Sequence, residues 1–514
     1  MSAVRSSLIA LLAVTWSAMS VGCAAGPRWH APRAPIDAGY APVPLPEMSA
    51  SAGVHGGEAQ HLIAGRDIPF EWWELFQSPA LNSLIEKAFK ANPTIAAARA
   101  SLRQAQELVY AQQGSFYPSV GTIFQAERHK VSGNTNSSST IGVQGNGVNL
   151  LPALEDPYNE PHNLPSYYSF YTAELTVGFV PDVLGGNRRQ VESLAAQKEA
   201  QRFALEATYI TLASNVVAAA IQEASVRAQI QATRQIIAAD ENALRILRDQ
   251  FKLGFAMRID VAAQEAALAQ IETTLPPLQK QLEQTRDLIR ALVGDLPNGP
   301  DETFELDTLQ LPPELPVTLP AKLIEQRPDV RAAEAQLHAA NAQVGVAVAA
   351  MLPQFSISGE YGGNATQITQ MFSAGGPFWS LYGNVTQPLF QGGTLLHQER
   401  AASQALKQAA AQYQIAVITA YQNVADTLHV SLSDAEALSL DVDAEASAKV
   451  TYDLTRRQAE IGYVDTLTLL SAETAYQQTL LARVQAQATR YGDTVSLFQA
   501  LGGGWWNRKE VAAK

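Results

Sequence analysis

Few residues in this chain are arranged to do covalent chemistry. Its eight histidines include no pair three or four residues apart, so no helix face offers two imidazoles to a metal. The HExxH, GxSxG and phosphate-cradling GxxxxGK patterns are absent from the sequence. His55 and His61 fall in a Pro/Gly-rich stretch where solvation is the expected state. Six scattered methionines form no thioether ladder for soft metals. We therefore expect neither an enzyme nor a cofactor. The singular side chain is Cys23, the only cysteine, which excludes an intrachain disulfide. It follows Arg5, the apolar run Leu8 to Val14 and Ser20-Val21-Gly22, the layout of a short secretory signal rather than a membrane span. Two chemistries fit: cleavage beside an incidental thiol, or acylation of Cys23 as the new first residue, tethering the mature chain to a leaflet. Ser20 stands where the acylation pattern usually has Leu; Gly22 fits it.

The remaining 491 or so residues must then act by shape and charge. The chain of 514 residues carries 36 basic against 49 acidic side chains, a net charge of −13. Phosphate backbones need a basic surface, which this balance does not favour, so a nucleic-acid partner is not expected. Only 17% of residues are charged, and long tracts are rich in Ala, Gln and Leu, as in packed helical arrays. After the signal, no unbroken run of about 18 apolar residues follows, so no helix is expected to span a bilayer.

The elements come twice. "NPTIAAARASLRQAQELVYAQQGSFYPSVGTIFQAE" from Asn92 is echoed by "RPDVRAAEAQLHAANAQVGVAVAAMLPQFSISGEYGG" from Arg327. Each opens with Pro (Pro93, Pro328), runs as an Ala-rich helix, reaches a second Pro (Pro118, Pro353), and then alternates. Phe116, Val120, Thr122 and Phe124 begin one alternating strand. Tyr171, Ala173, Leu175, Val177 and Phe179 share one face of the next, with Thr172, Glu174, Thr176 and Gly178 on the other. In the second copy, Phe355, Ile357 and Tyr361 alternate with Ser356, Ser358 and Glu360. Trp379, Leu381 and Val385 alternate with Ser380, Tyr382, Asn384 and Thr386. Each copy thus predicts a hairpin with one apolar and one polar face.

A breaker follows each hairpin (Pro181 to Gly186, Pro388 to Gly393), then a very long helix. From Leu205 to Phe251 a 4-3 spacing of fourteen positions holds unbroken, interrupted in character only by Glu223, Thr233 and Asp240: a coiled-coil seam. In the second copy the seam starts at Leu406, Ala410, Tyr413, Val417, Ala420 and Val424, after which the spacing slips. Both long helices end on a glycine, in Gln250-Phe-Lys-Leu-Gly254 and Gln458-Ala-Glu-Ile-Gly462, where a left-handed turn is needed. Return helices follow, the first interrupted by Pro276-Pro277. The expected organisation is a signal peptide over 1–22, a lipidated linker over 23–67, a first repeat over 68–294, a Pro-rich connector over 295–320, a second repeat over 321–506 and a tail over 507–514.

Four amphipathic strands cannot close a membrane barrel, because about eight is the smallest number that does, and open edges are not tolerated in lipid. Such strands must pool with copies of the same chain, eight in a dimer or twelve in a trimer. Glu174 and Glu360 would then line a lumen.

The chain resembles the TolC-like outer-membrane efflux proteins, and most the lipoprotein branch of OprM/NodT type. The resemblance rests on Trp72-Trp73, Phe76, Pro79-Ala80-Leu81, Asn92-Pro93, Arg327-Pro328-Asp329-Val330, Ala333-Glu334, Leu337 and the closing Ala500 to Trp505. It spans about residues 68 to 506. It implies a mainly α fold with a membrane β part: a homotrimer with a 12-stranded β-barrel and a periplasmic α-barrel, in outer-membrane lipid. It further implies docking onto a periplasmic adaptor protein and an inner-membrane RND-type pump. Relatives narrow at the helix tips, beside acids that follow the turn glycine. Asp260, six residues past Gly254, matches the first of these; capping its own helix is the alternative role. At the second tip Thr468 and Ser471 occupy the equivalent places, where many relatives have an Asp at the latter. Asp465 or Glu473 could substitute. The same fold could instead serve an ABC transporter in secretion, or act as a periplasmic coiled-coil spacer with no pore.

Overall fold

The computed structural model describes residues 24–33, 39–42, 44–130, 167–300, 302–318 and 320–508. Cys23, and the whole of segment 131–166 with the long loop expected there, lie outside them. The chain divides into two compact units.

The first unit takes in residues 109–192 and 342–402 with the segment up to Pro27. Its centre is one antiparallel sheet of β2 (Ser119–Lys130), β3 (Tyr167–Phe179), β5 (Gln354–Ala365) and β6 (Pro377–Thr386), in the order β2-β3-β5-β6. The two hairpins are therefore joined, since β3 of the first repeat pairs with β5 of the second.

The second unit is helical. In chain order it draws on β1 (His61–Ala64), α1 (Pro79–Ala91), α2 (Pro93–Gln113), α3 (Gly186–Lys252), α4 (Arg258–Glu272), α5 (Leu275–Leu292), β4 (Glu314–Val317), α6 (Pro320–Gln326), α7 (Pro328–Ala350), α8 (Thr394–Glu460) and α9 (Thr466–Ala500). Helices α3 and α8 have 67 residues each, roughly 100 Å at 1.5 Å per residue. Eleven of the fourteen seam positions of α3 are buried, Glu223, Thr233 and Asp240 included; Phe251 alone is exposed. On α8 the slip in spacing is a stutter. Val424 is followed four residues on by Leu428, and burial then resumes at Ser431, Ala435 and Leu438. The core holds Trp72 stacked on Phe498 (centroids 5.2 Å apart), with Phe76, Leu81, Ile85, Val216, Val424 and Tyr491 around them.

One expectation changes. Residues 44–65 are not a free linker. β1 pairs in parallel with β4, Met48 bridges His61, and Gly56, at φ +73°, lies flat against the Tyr491 ring. His55 is half-buried, its Nδ1 3.2 Å from the Tyr491 hydroxyl, while His61 is exposed. The connector is likewise tied down, with Phe304, Leu306, Leu309, Leu311 and Leu315 all buried. Sequence position hid this because short apolar residues among prolines show no period. Finally, an 18-residue window of α3 does reach a mean hydropathy of 1.4, but 67% of it is buried among other helices.

Pro276 and Pro277 do interrupt the first return helix: α4 stops at Glu272 and α5 restarts with both prolines in its first turn, where their missing N–H groups cost nothing.

Four helix ends share one motif. Gly254, Gly294, Gly462 and Gly502 all have φ near +80° to +95°. Each amide bonds three residues back, and the next amide bonds five back, as Phe255 N to Gln250 O (2.8 Å) and Tyr463 N to Gln458 O (2.8 Å). Their surroundings differ. A Cβ on Gly294 would stand 2.8 Å from the Ala91 carbonyl oxygen, whereas nothing lies within 4 Å of one on Gly254. Gly254→Ala should therefore cost only the left-handed backbone penalty, about 1–2 kcal/mol. Gly294→Ala should cost visibly more. Thermal unfolding of the two variants side by side gives the order.

Candidate functional site

The sheet has two chemically distinct faces. In an antiparallel ladder, residues opposite one another point to the same side. Val120 faces Val177, Thr122 faces Leu175, and Phe124 faces Ala173 across β2 and β3. Leu175 then faces Tyr361, and Tyr361 faces Trp379. One apolar face thus runs unbroken across four strands, and its large side chains are open, Trp379 76% exposed and Leu381 70%. The other face carries Gln125, Thr172, Glu174, Thr176, Ser358, Glu360, Ser380 and Asn384, with Ser380 Oγ donating to Glu360 at 2.9 Å. Apolar side chains interrupt it at Ile123, opposite Glu174, at Phe170, opposite Glu127, and at Phe378, opposite Gly362. Among the described residues, β2 and β6 each have one unpaired edge.

At the foot of this sheet the N-terminal segment is clasped. Ala25 N donates to Leu184 O at 3.1 Å, and buried Arg189 donates from Nε to Ala25 O and from Nη2 to Pro27 O, each at 3.0 Å. Gly185 and Gly345 leave room for this approach: a Cβ on either would strike Ala24 or the Ala25 oxygen at 2.7 Å.

The tips of the two helical hairpins are the second candidate region. Gly254 and Gly462 turn the chain, and beside them Leu253, Phe255, Met257, Ile259, Ile461, Tyr463 and Leu467 are exposed. Bare apolar side chains are thus concentrated around the two turns. Asp260 accepts a hydrogen bond from Met257 N at 3.0 Å and so caps α4. Asp465 is the N-cap of α9, accepting from Thr468 N at 2.8 Å. Bonds from Thr468 hold its carboxyl below the usual range. Thr468 and Ser471 are exposed, and the Ser471 hydroxyl donates back to Leu467 O at 2.9 Å. Glu473, by contrast, is buried among helices and faces Asp240. The sequence placed these acids on one segment; their division into exposed caps and a buried partner depends on which helix each one meets. Asp240 was readable as a polar residue in an apolar seam, but its partners on α8 and α9 were not.

Among the described residues, no group of three or more His, Cys, Asp or Glu side chains is placed to hold a metal.

Comparison with known proteins agrees with this architecture. The chain is 25% identical over 465 residues to the pyoverdine export outer membrane protein OpmQ of Pseudomonas putida, covering 90% of this chain and 94% of that one. It is 26% identical over 492 residues to the antibiotic efflux pump outer membrane protein ArpC of Pseudomonas putida, covering 95% and 94%. The solved structure of the outer-membrane channel OprN, 25% identical, superposes with a TM-score of 0.79 over 94% of this chain and 100% of that one. Residues 84–295 and 319–503 match the outer membrane efflux protein model, and the chain belongs to that family.

Proposed function

We propose that this chain is the outer-membrane channel subunit of a tripartite efflux system. Three copies assemble, and together they give solutes one conduit out of the cell without doing chemistry. The observation that carries this reading is the continuous, exposed apolar face on a sheet with two unpaired edges. In lipid every unpaired backbone group costs several kcal/mol, so β6 of one copy must pair with β2 of the next until the ring closes. Three copies of four strands give a 12-stranded barrel, with Glu174 and Glu360 turned to the lumen and Trp379 and Tyr361 to the bilayer.

The exposed tips dock onto a periplasmic adaptor, which links them to an inner-membrane pump of RND type. Asp260, Asp465, Thr468 and Ser471 border the aperture there. Only two of the four are acids, and both also cap helices, so the ring is less negative than one with Asp in place of Ser471. Cys23 is acylated, a reading supported by the clasp on Ala24 to Pro27, which holds the chain one residue downstream at the foot of the sheet.

Deleting the gene should raise intracellular accumulation of a subset of dyes, antibiotics or metal ions, and the intact gene should reverse it. No change across the panel, with a protein or polysaccharide missing from the supernatant, would point to a secretion partner. Replacing Phe255 and Tyr463 by Ser should alter stability by no more than about 0.5 kcal/mol, as expected for exposed sites. It should nevertheless reproduce the deletion phenotype. Mass spectrometry of the mature N-terminus should find Cys23 carrying acyl chains; a free amine and thiol would remove the anchor.

A further inference from the structure

Between the tips of the two hairpins and the core of the second unit lies a polar knot that the channel reading leaves unused. Asp240 of α3 and Glu473 of α9 are 2% and 7% exposed. Glu473 is within hydrogen-bonding reach of Asp240 and of the Tyr452 hydroxyl on α8. Gln264 of α4 donates to Asp240 at 3.4 Å, and Tyr452 stacks on Tyr476 of α9, centroids 5.7 Å apart and rings nearly parallel. Helices α3 and α4 of one repeat and α8 and α9 of the other all contribute here. A cavity of about 480 Å³ adjoins the knot on the tip side, lined by Gln250 and Leu247 from the first hairpin and Ala459 and Leu469 from the second. Gln264, Tyr452 and Glu473 of the knot also line this cavity, so space between the hairpins reaches the knot from the tip side.

Two carboxyl groups buried face to face cannot both be ionised cheaply, because burial and like charge penalise the same form. Among the described residues one cation offsets them, Arg456 of α8, which also reaches Glu460 at 3.4 Å on the surface. The other groups around the pair are Tyr452, whose hydroxyl burial pushes up to about 12, and Asp453, which acts on Tyr452; Gln264 does not titrate. Burial first, then Asp240, pushes the Glu473 carboxyl up to about 8.

We propose that Glu473 and Asp240 form a proton-operated clamp between the two repeats: a protonated Glu473 donates to Asp240 and holds the α3–α4 and α8–α9 hairpins together, and loss of that proton lets their tips part. The clamp acts on the aperture only if the tips are the aperture, and to that extent it rests on the channel reading. The sign follows from the direction of the shift. A carboxyl held above its unfolded value stabilises the packed form fully below the unfolded value near 4.5. That contribution declines as pH rises and is gone once pH passes the folded value.

The test uses the full-length protein in detergent, with hydrogen exchange followed in residues 240–254 and 456–473 and each rate divided by the intrinsic rate at that pH. Between about pH 6 and about pH 9, protection there should fall at least about tenfold. In Glu473→Gln, a near-isostere of the protonated form, protection should stay high throughout. Asp240→Asn, which removes the charge that helps hold the Glu473 carboxyl up, should move the fall to lower pH, or abolish it because the new amide can donate to ionised Glu473. A second buried acid, Asp493, is pushed up to about 7 by burial and by Asp434. It stays in place in both variants, so the difference between wild type and variant isolates the clamp. Protection that is flat with pH in the wild type, or that falls equally in Glu473→Gln, would overturn the proposal. Planar-bilayer conductance separates the two readings. Conductance rising with pH in the wild type and not in Glu473→Gln supports both. A silent bilayer with the exchange switch intact keeps the clamp and removes the channel.

Discussion

Each repeat is closed by the same contact, and the packing of the helical unit depends on it. The residue before the proline that opens each Ala-rich helix (Pro93, Pro328) reaches across to the end of that repeat's return helix. Asn92 Nδ2 donates to Leu292 O at 2.7 Å, and Arg327 Nη1 donates to Ala500 O at 2.9 Å. Both acceptors are carbonyls in a last helical turn, which have no partner along the helix. The glycine that ends each return helix makes the approach possible: Gly294 lies on the Ala91 carbonyl and Gly502 on the Gln326 carbonyl. Proline matters to this clip for a backbone reason. It disfavours helical geometry in the residue before it, so that residue turns out of the helix and its side chain is free to serve another element. The start of α2 or α7 is thereby fixed against the end of α5 or α9, and the long helices between must pack in the register these ends allow.

The same logic explains why one clip uses Asn and the other Arg. Asn92 also caps its own helix, its Oδ1 accepting from Thr94 N at 2.7 Å, so a short side chain serves both ends. Arg327 instead braces on Asp329 through Nε and Nη2 at 3.0 and 2.6 Å, and uses its extra length to reach the carbonyl. Two different residue types thus satisfy one geometric need, and the duplication survives in contacts even where the letters have diverged.

Much of this fold was legible because its elements are long and regular. A fourteen-position seam, alternating strands and glycine-ended helices each repeat a local rule many times, so period and spacing reveal them. What was not legible depends on a single remote contact. Gly56 has meaning only against the Tyr491 ring, Arg189 only against the Ala25 and Pro27 carbonyls, and neither neighbour is marked in the sequence. The joining of the hairpins into one sheet was hidden for the same reason, since β3 and β5 belong to different repeats and nothing in either strand names the other. At the tips the acids were found by their distance from a glycine. Distance along the chain did not say that Asp465 would cap α9 in the open while Glu473, eight residues on, would be buried against α3.

The polar residues of the α3 seam complete the account. An all-apolar seam of Ala, Val, Leu and Ile would bury as much surface, and by burial alone Glu223 and Asp240 are poor choices, because desolvating a carboxyl is costly. Burial does raise the Glu223 carboxyl, against the pull of Arg227 and Arg286. Yet each has a partner that an apolar residue could not use. Glu223 accepts from Phe304 N at 2.9 Å and lies 3.5 Å from Arg286 of α5, tying α3 to its connector and return helix. Asp240 meets Gln264 of α4 and Glu473 of α9. A uniform seam packs nearly as well after sliding by one heptad; these two residues do not, because a slide would leave each carboxyl buried and unpartnered. In a helix of 67 residues whose other contacts are nearly periodic, buried polar groups are what distinguish the right register from its neighbours. The position of Asp240 close to the tips makes the same residue available for a second use, since the group that sets the register there is also one whose partner can lose a proton.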